Sequence, residues 1–197
     1  MVQTKPRFKS FKEYLETDSS DLPEGSYELV NGAIVEMGAE NDGNVLIAGF
    51  LFSMLLQFIP HYLIRRGTEI AVVSKLVTAR CPDLMVVTEE IHHTLKRDSR
   101  SLISLEMPAP SLVVEVVSPG DPGSENYDRD YIQKPQEYAA RGIPEYWLID
   151  PIREVILIHL LSNGKYQVKL FRGVEQIESL AFRLLQLTAE QILKAGE

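Results

Sequence analysis

The chain has 197 residues, 45% of them hydrophobic and 24% charged, the make-up of a globular protein rather than a disordered or fibrous one. A chain of this length fits one large domain or two small ones and buries roughly 70% of its unfolded surface; no repeat, low-complexity tract or linker divides it, so a single domain over residues 1–197 is expected. A net charge of −8 argues against broad electrostatic capture of nucleic acid, but not against acids gathered round a divalent cation.

Phe8, Phe11, Tyr14 and Leu15 recur at helical spacing and predict a helix over residues 8–16. Asn31-Gly32 tolerates the positive φ angles of a type I′ turn, so Tyr27–Val30 and residues 33–37 form a hairpin with Glu28 on its first strand. Residues 44–59 are apolar nearly all round and long enough for a buried helix. Its surface needs cover beyond one sheet face, and with the apolar strand at residues 155–160 this predicts a homodimer. β-Branched enrichment predicts strands over residues 69–77 and 83–87. Residues 91–110 read as a polar, irregular, exposed excursion. The apolar run of residues 111–117 is the central strand, covered on both faces, and Ser118-Pro119-Gly120-Asp121-Pro122-Gly123 ends it. Residues 128–141 favour helix interrupted by Pro135, with Gly142 as a stop. Strands at Glu145–Asp150, 155–160 and 166–171 and a short helix over 187–194 complete an α/β protein with a mixed sheet.

The single Cys81 excludes an intramolecular disulfide. No run approaches the ~20 apolar residues of a transmembrane helix, and residues 1–12 lack the apolar core of a signal peptide. A soluble, cytoplasmic protein with no membrane partner is expected.

Leu112-Val113-Val114-Glu115-Val116-Val117 carries one carboxylate inside an apolar run. Moving it out of water unpartnered costs several kcal/mol, so Glu115 is neutralised, paired or holding a cation. Pro82-Asp83-Leu84-Met85-Val86-Val87 repeats the arrangement. Side chains two apart share a face, which sets Glu115 with Val113 and Val117, and Asp83 with Met85 and Val87. On neighbouring strands with matching ends the two acids converge, and a hard divalent cation such as Mg²⁺ or Mn²⁺ relieves their repulsion. Zinc fits poorly, because no His-x-x-x-His or paired-cysteine spacing exists. The adjacent His92 and His93 point apart and carry no expected metal role, and Tyr146 and Trp147 read as core. Arg65-Arg66, Lys96-Arg97 and Arg100 are either a local basic patch or solvated loop charges.

Five segments in order carry a resemblance: Tyr27-Glu28-Leu29-Val30-Asn31-Gly32, the Pro82 and Leu112 segments above, Lys134 with Glu137-Tyr138, and the run from Gly142 to Pro151. Together they resemble the Uma-two family, part of the PD-(D/E)xK restriction-endonuclease-like superfamily. The resemblance implies that fold, a mixed sheet flanked by helices, and Mg²⁺-dependent hydrolysis of DNA phosphodiesters. It implies that Asp83 and Glu115 bind the metal, Glu28 completes the site, and a lysine orients the attacking water. Val117 stands where the lysine of the short motif would be, and Lys134 resembles a migrated lysine; Asn44 departs from a frequent family histidine.

Other readings of the same residues stay open. Asp83 could cap a turn, Glu115 could pair with a structural cation, and Glu28 and Lys134 could be surface groups. A catalytically silent nucleic-acid or protein interaction module and a metal-free hydrolase using paired carboxylates are the alternatives to a nuclease.

Overall fold

The computed structural model describes residues 7–98, 100–118 and 120–196. Pro119 of the strand-ending loop, and the first half of the N-terminal segment read for a signal peptide, therefore lie outside the described residues. Among the described residues no helix is long and apolar enough to cross a membrane.

Helix α1 (Phe11–Glu16) starts where the Ser10 side chain accepts from the Glu13 N–H, and it buries Tyr14. Strands β1 (Tyr27–Val30) and β2 (Ala33–Glu36) form the expected hairpin. Asn31 and Gly32 both take positive φ, +50° and +77°. A Cβ on Gly32 would lie 2.4 Å from the Phe8 carbonyl oxygen, so the turn requires glycine twice over. Helix α2 (Asp42–Leu55) is capped by Asn41 and turns Ile47, Ala48, Leu51 and Leu55 inward. Leu46 and Leu56 stay exposed.

β3 (Ile64–Arg65), β4 (Glu69–Ala71), β5 (Ala79–Arg80) and β6 (Leu84–Val86) follow. The long strand expected over residues 69–77 is instead a hairpin. The Val72 N–H donates to the Thr78 carbonyl, and the Ser74 hydroxyl bonds Thr78 Oγ1 within the turn. The exposed excursion expected over residues 91–110 also needs correction. It contains α3 (Glu89–Leu95), capped by Thr88, and β7 (Leu102–Ile103). Ile91 and Leu95, one helical turn apart, are buried, as are Leu102 and Ile103; four apolar residues outweighed a polar composition.

β8 (Leu112–Val116) is followed by the short helix α4 (Glu125–Tyr127), a π-helical turn over Asp128–Gln133 and α5 (Lys134–Arg141). Pro135 was expected to interrupt this helix and does not. Proline lacks an N–H and its ring collides with the carbonyl four residues back, and a widened turn just before it relieves both problems. The Lys134 N–H accordingly reaches back five residues, to the Arg129 carbonyl. Gly142, left-handed at φ +82°, ends α5 as expected. β9 (Glu145–Asp150), β10 (Val155–Ser162), β11 (Lys165–Phe171) and α6 (Ala189–Leu193) complete the chain.

These strands build two sheets, a six-stranded one ordered β11-β10-β9-β8-β6-β3 and a five-stranded one ordered β2-β1-β5-β4-β7. In the larger sheet β8 runs parallel to β9 and antiparallel to β6. One face, with Leu112, Val114 and Val116, packs against α2 and α6 through Ile47, Leu51 and Ile192. The other, with Val113, Val117, Met85 and Leu148, packs against Tyr138 of α5. β8 is thus covered on both sides, at about 1.5–3 kcal/mol for each fully buried aliphatic side chain. Glu115 is carried on a strand with no room to move.

At the far side of this sheet His159 on β10 is buried, its ring 4.9 Å from that of Tyr146 and 5.4 Å from that of Tyr166. Burial pulls its pKa down to about 4. The unfolded chain binds a proton below about 6.5 that the folded chain refuses. His159 therefore contributes stability above that pH and loses it as pH falls toward 4, at up to about 1.4 kcal/mol per pH unit. His159→Phe is expected to flatten this part of the acid limb in urea melts between pH 4.5 and 7; an unchanged difference between the two pH values would remove His159 as the cause.

Candidate active site

The register of β6 against β8 pairs Leu84 with Val114 and Met85 with Val113, which brings Asp83, one residue before β6, opposite Glu115. Asp83 Oδ2 accepts from the Val116 N–H at 2.6 Å. The two acids expected to converge do so, at the mouth of a cleft of about 610 Å³ that Glu28, Asn44 and Lys134 also line.

Glu115 faces α5. Its Oε2 accepts from Lys134 Nζ at 2.8 Å and its Oε1 from the Tyr138 hydroxyl at 2.6 Å. Lys134, buried like Glu115, also stands 3.5 Å from Asp130 and 3.6 Å from Glu28. Positions 130, 134 and 138 thus present one stripe of the helix to the strand. Glu28 is 2% exposed, which settles that it is no solvated edge residue. Arg80 on β5 donates to it at 2.7 Å and grips Glu137 of α5 with two further hydrogen bonds, at 2.8 and 3.0 Å. This guanidinium ties the smaller sheet to the helix that carries Lys134.

The charges are unevenly compensated. Burial and the Lys134 ammonium oppose one another at Glu28, and Lys134 with Arg80 prevails, holding its carboxyl below the usual range. Burial pushes Glu115 up despite Lys134 and Tyr138. Burial works against the Lys134 ammonium, but Glu115, Glu28 and Asp130 outweigh it and raise its pKa, so it stays protonated. Asp83 differs from both acids. Burial, then the Glu115 carboxylate, push it up to about 8, with Glu40 hydrogen-bonded beside it and only the Val116 N–H and Lys134 pulling the other way. No cation lies within ion-pairing distance of Asp83 among the described residues.

No group of three or more His, Cys, Asp or Glu side chains is arranged as metal ligands among the described residues. The pair Asp83 and Glu115 nonetheless suits a hard divalent ion, which is commonly held by one or two carboxylates and keeps several waters. The donors are all oxygen. Burial and the surrounding acids push the thiol of Cys81 up to about 12 in the metal-free protein. A protonated Asp83 records an excess of negative charge that a cation would relieve.

Sequence reasoning missed Arg80, Asp130 and the roles of Glu137 and Tyr138. Arg80 had a readable signal, an arginine in an otherwise apolar strand three residues before Asp83, since a buried guanidinium needs acids to face. Asn44 does reach the site, its amide donating to the Val116 and Val117 carbonyls at 3.2 and 3.4 Å. The His92 ring nitrogen Nδ1 meets Arg65 at 2.6 Å. Tyr146 and Trp147 are core, as expected. Arg100 leaves the supposed basic patch, paired with Glu69 at 2.7 Å and lying over the Tyr14 ring.

This architecture is the restriction-endonuclease-like α/β fold, shared with the crystal structure of "a putative nuclease belonging to DUF820" from Anabaena variabilis ATCC 29413. The two agree with a TM-score of 0.69 over 94% of this chain and 98% of that one, at 16% sequence identity. The chain belongs to the Uma2 family, whose model, described as "Putative restriction endonuclease", matches residues 11–190. No curated protein matches the sequence.

Proposed function

We propose that this protein is a nuclease that hydrolyses DNA phosphodiester bonds with Mg²⁺ or Mn²⁺ held by Asp83 and Glu115. The observation that carries the reading is Asp83: an acid without a cation, facing Glu115 across adjoining strands, in the cleft that Lys134 enters. The description of the Uma2 family supports nucleic acid as the substrate. When bound, the ion polarises the phosphate and lowers the pKa of an attacking water. Lys134 stays an ammonium, so it positions water and offsets charge on the phosphoryl oxygens rather than accepting a proton. Glu28, ionised and 3.6 Å away, helps keep that ammonium in place.

A second reading has its own observation. Both Glu115 oxygens are already engaged by Lys134 and Tyr138, an arrangement that is satisfied without metal and suits a silent binding module. Supercoiled plasmid incubated with the purified protein separates the two. Nicked and linear products with Mg²⁺ or Mn²⁺, stopped by EDTA, are expected; intact plasmid with either ion replaces the nuclease with the module.

A further inference from the structure

An acidic cleft repels the phosphate backbone it is proposed to cut, and a bound ion answers that only at one point. Three cations line the cleft, Arg66, Arg129 and Lys134. Arg129 spends two nitrogens on Asp130, both at 2.8 Å, and a third on Asn126 at 3.1 Å. Lys134 is surrounded by Glu115, Asp130 and Glu28. Arg66 is different. It is exposed, and no carboxylate lies within ion-pairing distance of it among the described residues. Among the described residues its side chain makes one hydrogen bond, from Nε to the backbone carbonyl of Asp83, at 3.2 Å. The neighbouring Arg65 is committed to His92.

We infer that Arg66 is the phosphate-gripping residue of this cleft, holding the DNA backbone beside Asp83 through its two terminal nitrogens. The inference rests on the nuclease reading. A guanidinium presents a planar fork that matches the non-bridging oxygens of a phosphodiester. With Nε tied to the Asp83 carbonyl, the remaining face of that fork is the end-on pair, and the tether fixes it next to an acid of the metal site. The contact carries no base information, so it positions a strand without selecting a sequence. Gly67, left-handed at φ +69°, follows directly and also lines the cleft.

The test is binding of a fluorescent DNA duplex in EDTA across a series of NaCl concentrations, for wild type, Arg66→Gln and Arg66→Lys. Each phosphate contact contributes about 0.9 to the slope of log K against log salt. Arg66→Gln is expected to lose about one unit of slope and to bind about tenfold more weakly. Arg66→Lys should keep the slope, because it keeps the charge, and lose part of the affinity with the fork. The thermal shift produced by Mn²⁺ should be the same in all three, because the bond that Arg66 makes to Asp83 is to its backbone carbonyl and neither substitution removes a carboxylate oxygen of Asp83 or Glu115. An Arg66→Gln variant with wild-type slope and affinity, in a protein that binds and cuts DNA, overturns the assignment alone. A wild type that binds no DNA in EDTA overturns the assignment alone, whereas plasmid left intact with both Mg²⁺ and Mn²⁺ overturns the nuclease reading on which it rests.

Discussion

Asp83→Asn is expected to make the metal-free protein more stable than wild type at pH 8 while sharply lowering its cleavage of DNA. The two effects have one origin. Folding raises the Asp83 pKa to about 8, above its unfolded value, so the folded state binds a proton the unfolded state has released. Stability from this group is then complete at low pH and is lost as pH rises through about 4 to 8, at up to about 1.4 kcal/mol per pH unit. Asparagine cannot ionise and has no such slope. Melts in EDTA at pH 6 and pH 8 should show wild type losing stability and Asp83→Asn holding level. Added Mn²⁺ should reverse the order, stabilising wild type by about 2.7 kcal/mol at a hundredfold excess over Kd and leaving the variant unmoved. A variant that gains the full metal shift would exclude Asp83 as a ligand. Cleavage should fall by about 10² or more, the scale of losing a preorganised electrostatic group.

Lys134→Met should cost a similar factor in turnover by another route. The ammonium is already in place in the ground state, 2.8 Å from Glu115, and gains strength only as charge builds on the phosphoryl oxygens. We expect kcat to fall by about 10² or more while DNA affinity changes little. The substitution also leaves Glu115, Glu28 and Asp130 facing one another without their shared cation. Breaking a buried pair from one side costs about 3–5 kcal/mol, less where the stranded carboxyls take up protons. The variant should therefore be closer to wild type in stability at pH 5.5 than at pH 8. Wild-type cleavage by a folded Lys134→Met would remove Lys134 from the chemistry.

The acids of the site were legible because they break a pattern. Glu115 interrupts an apolar strand and Asp83 opens one; periodicity set the face of each, and their convergence followed only if the two strands were neighbours with matching ends. The turn at Asn31-Gly32 was legible because few residues tolerate two successive positive φ angles. What could not be read were relations between distant segments. Arg80 means little until β5 meets both β1 and α5, and Glu137 reads as an ordinary helix charge until Arg80 faces it. The hairpin hidden in residues 69–80 and the buried elements within residues 91–110 failed for another reason. Their strands are two or three residues long, too short to display a period, and pairing rather than composition made them.

The widened turn at Asp128–Gln133 has a consequence for how this helix can vary. A π turn accommodates one residue more than the α-helix it interrupts, and each residue of a regular helix advances the direction by about 100°. Deleting one residue between Arg129 and Lys134 would restore a regular spiral and swing Asn126 and Arg129 round the axis relative to Lys134. The approach to the cleft and the ammonium inside it are thus phased by a single surplus residue. Substitutions along this stretch change one side chain at a time, whereas the loss of a single residue would re-aim all those before it and dismantle the cleft.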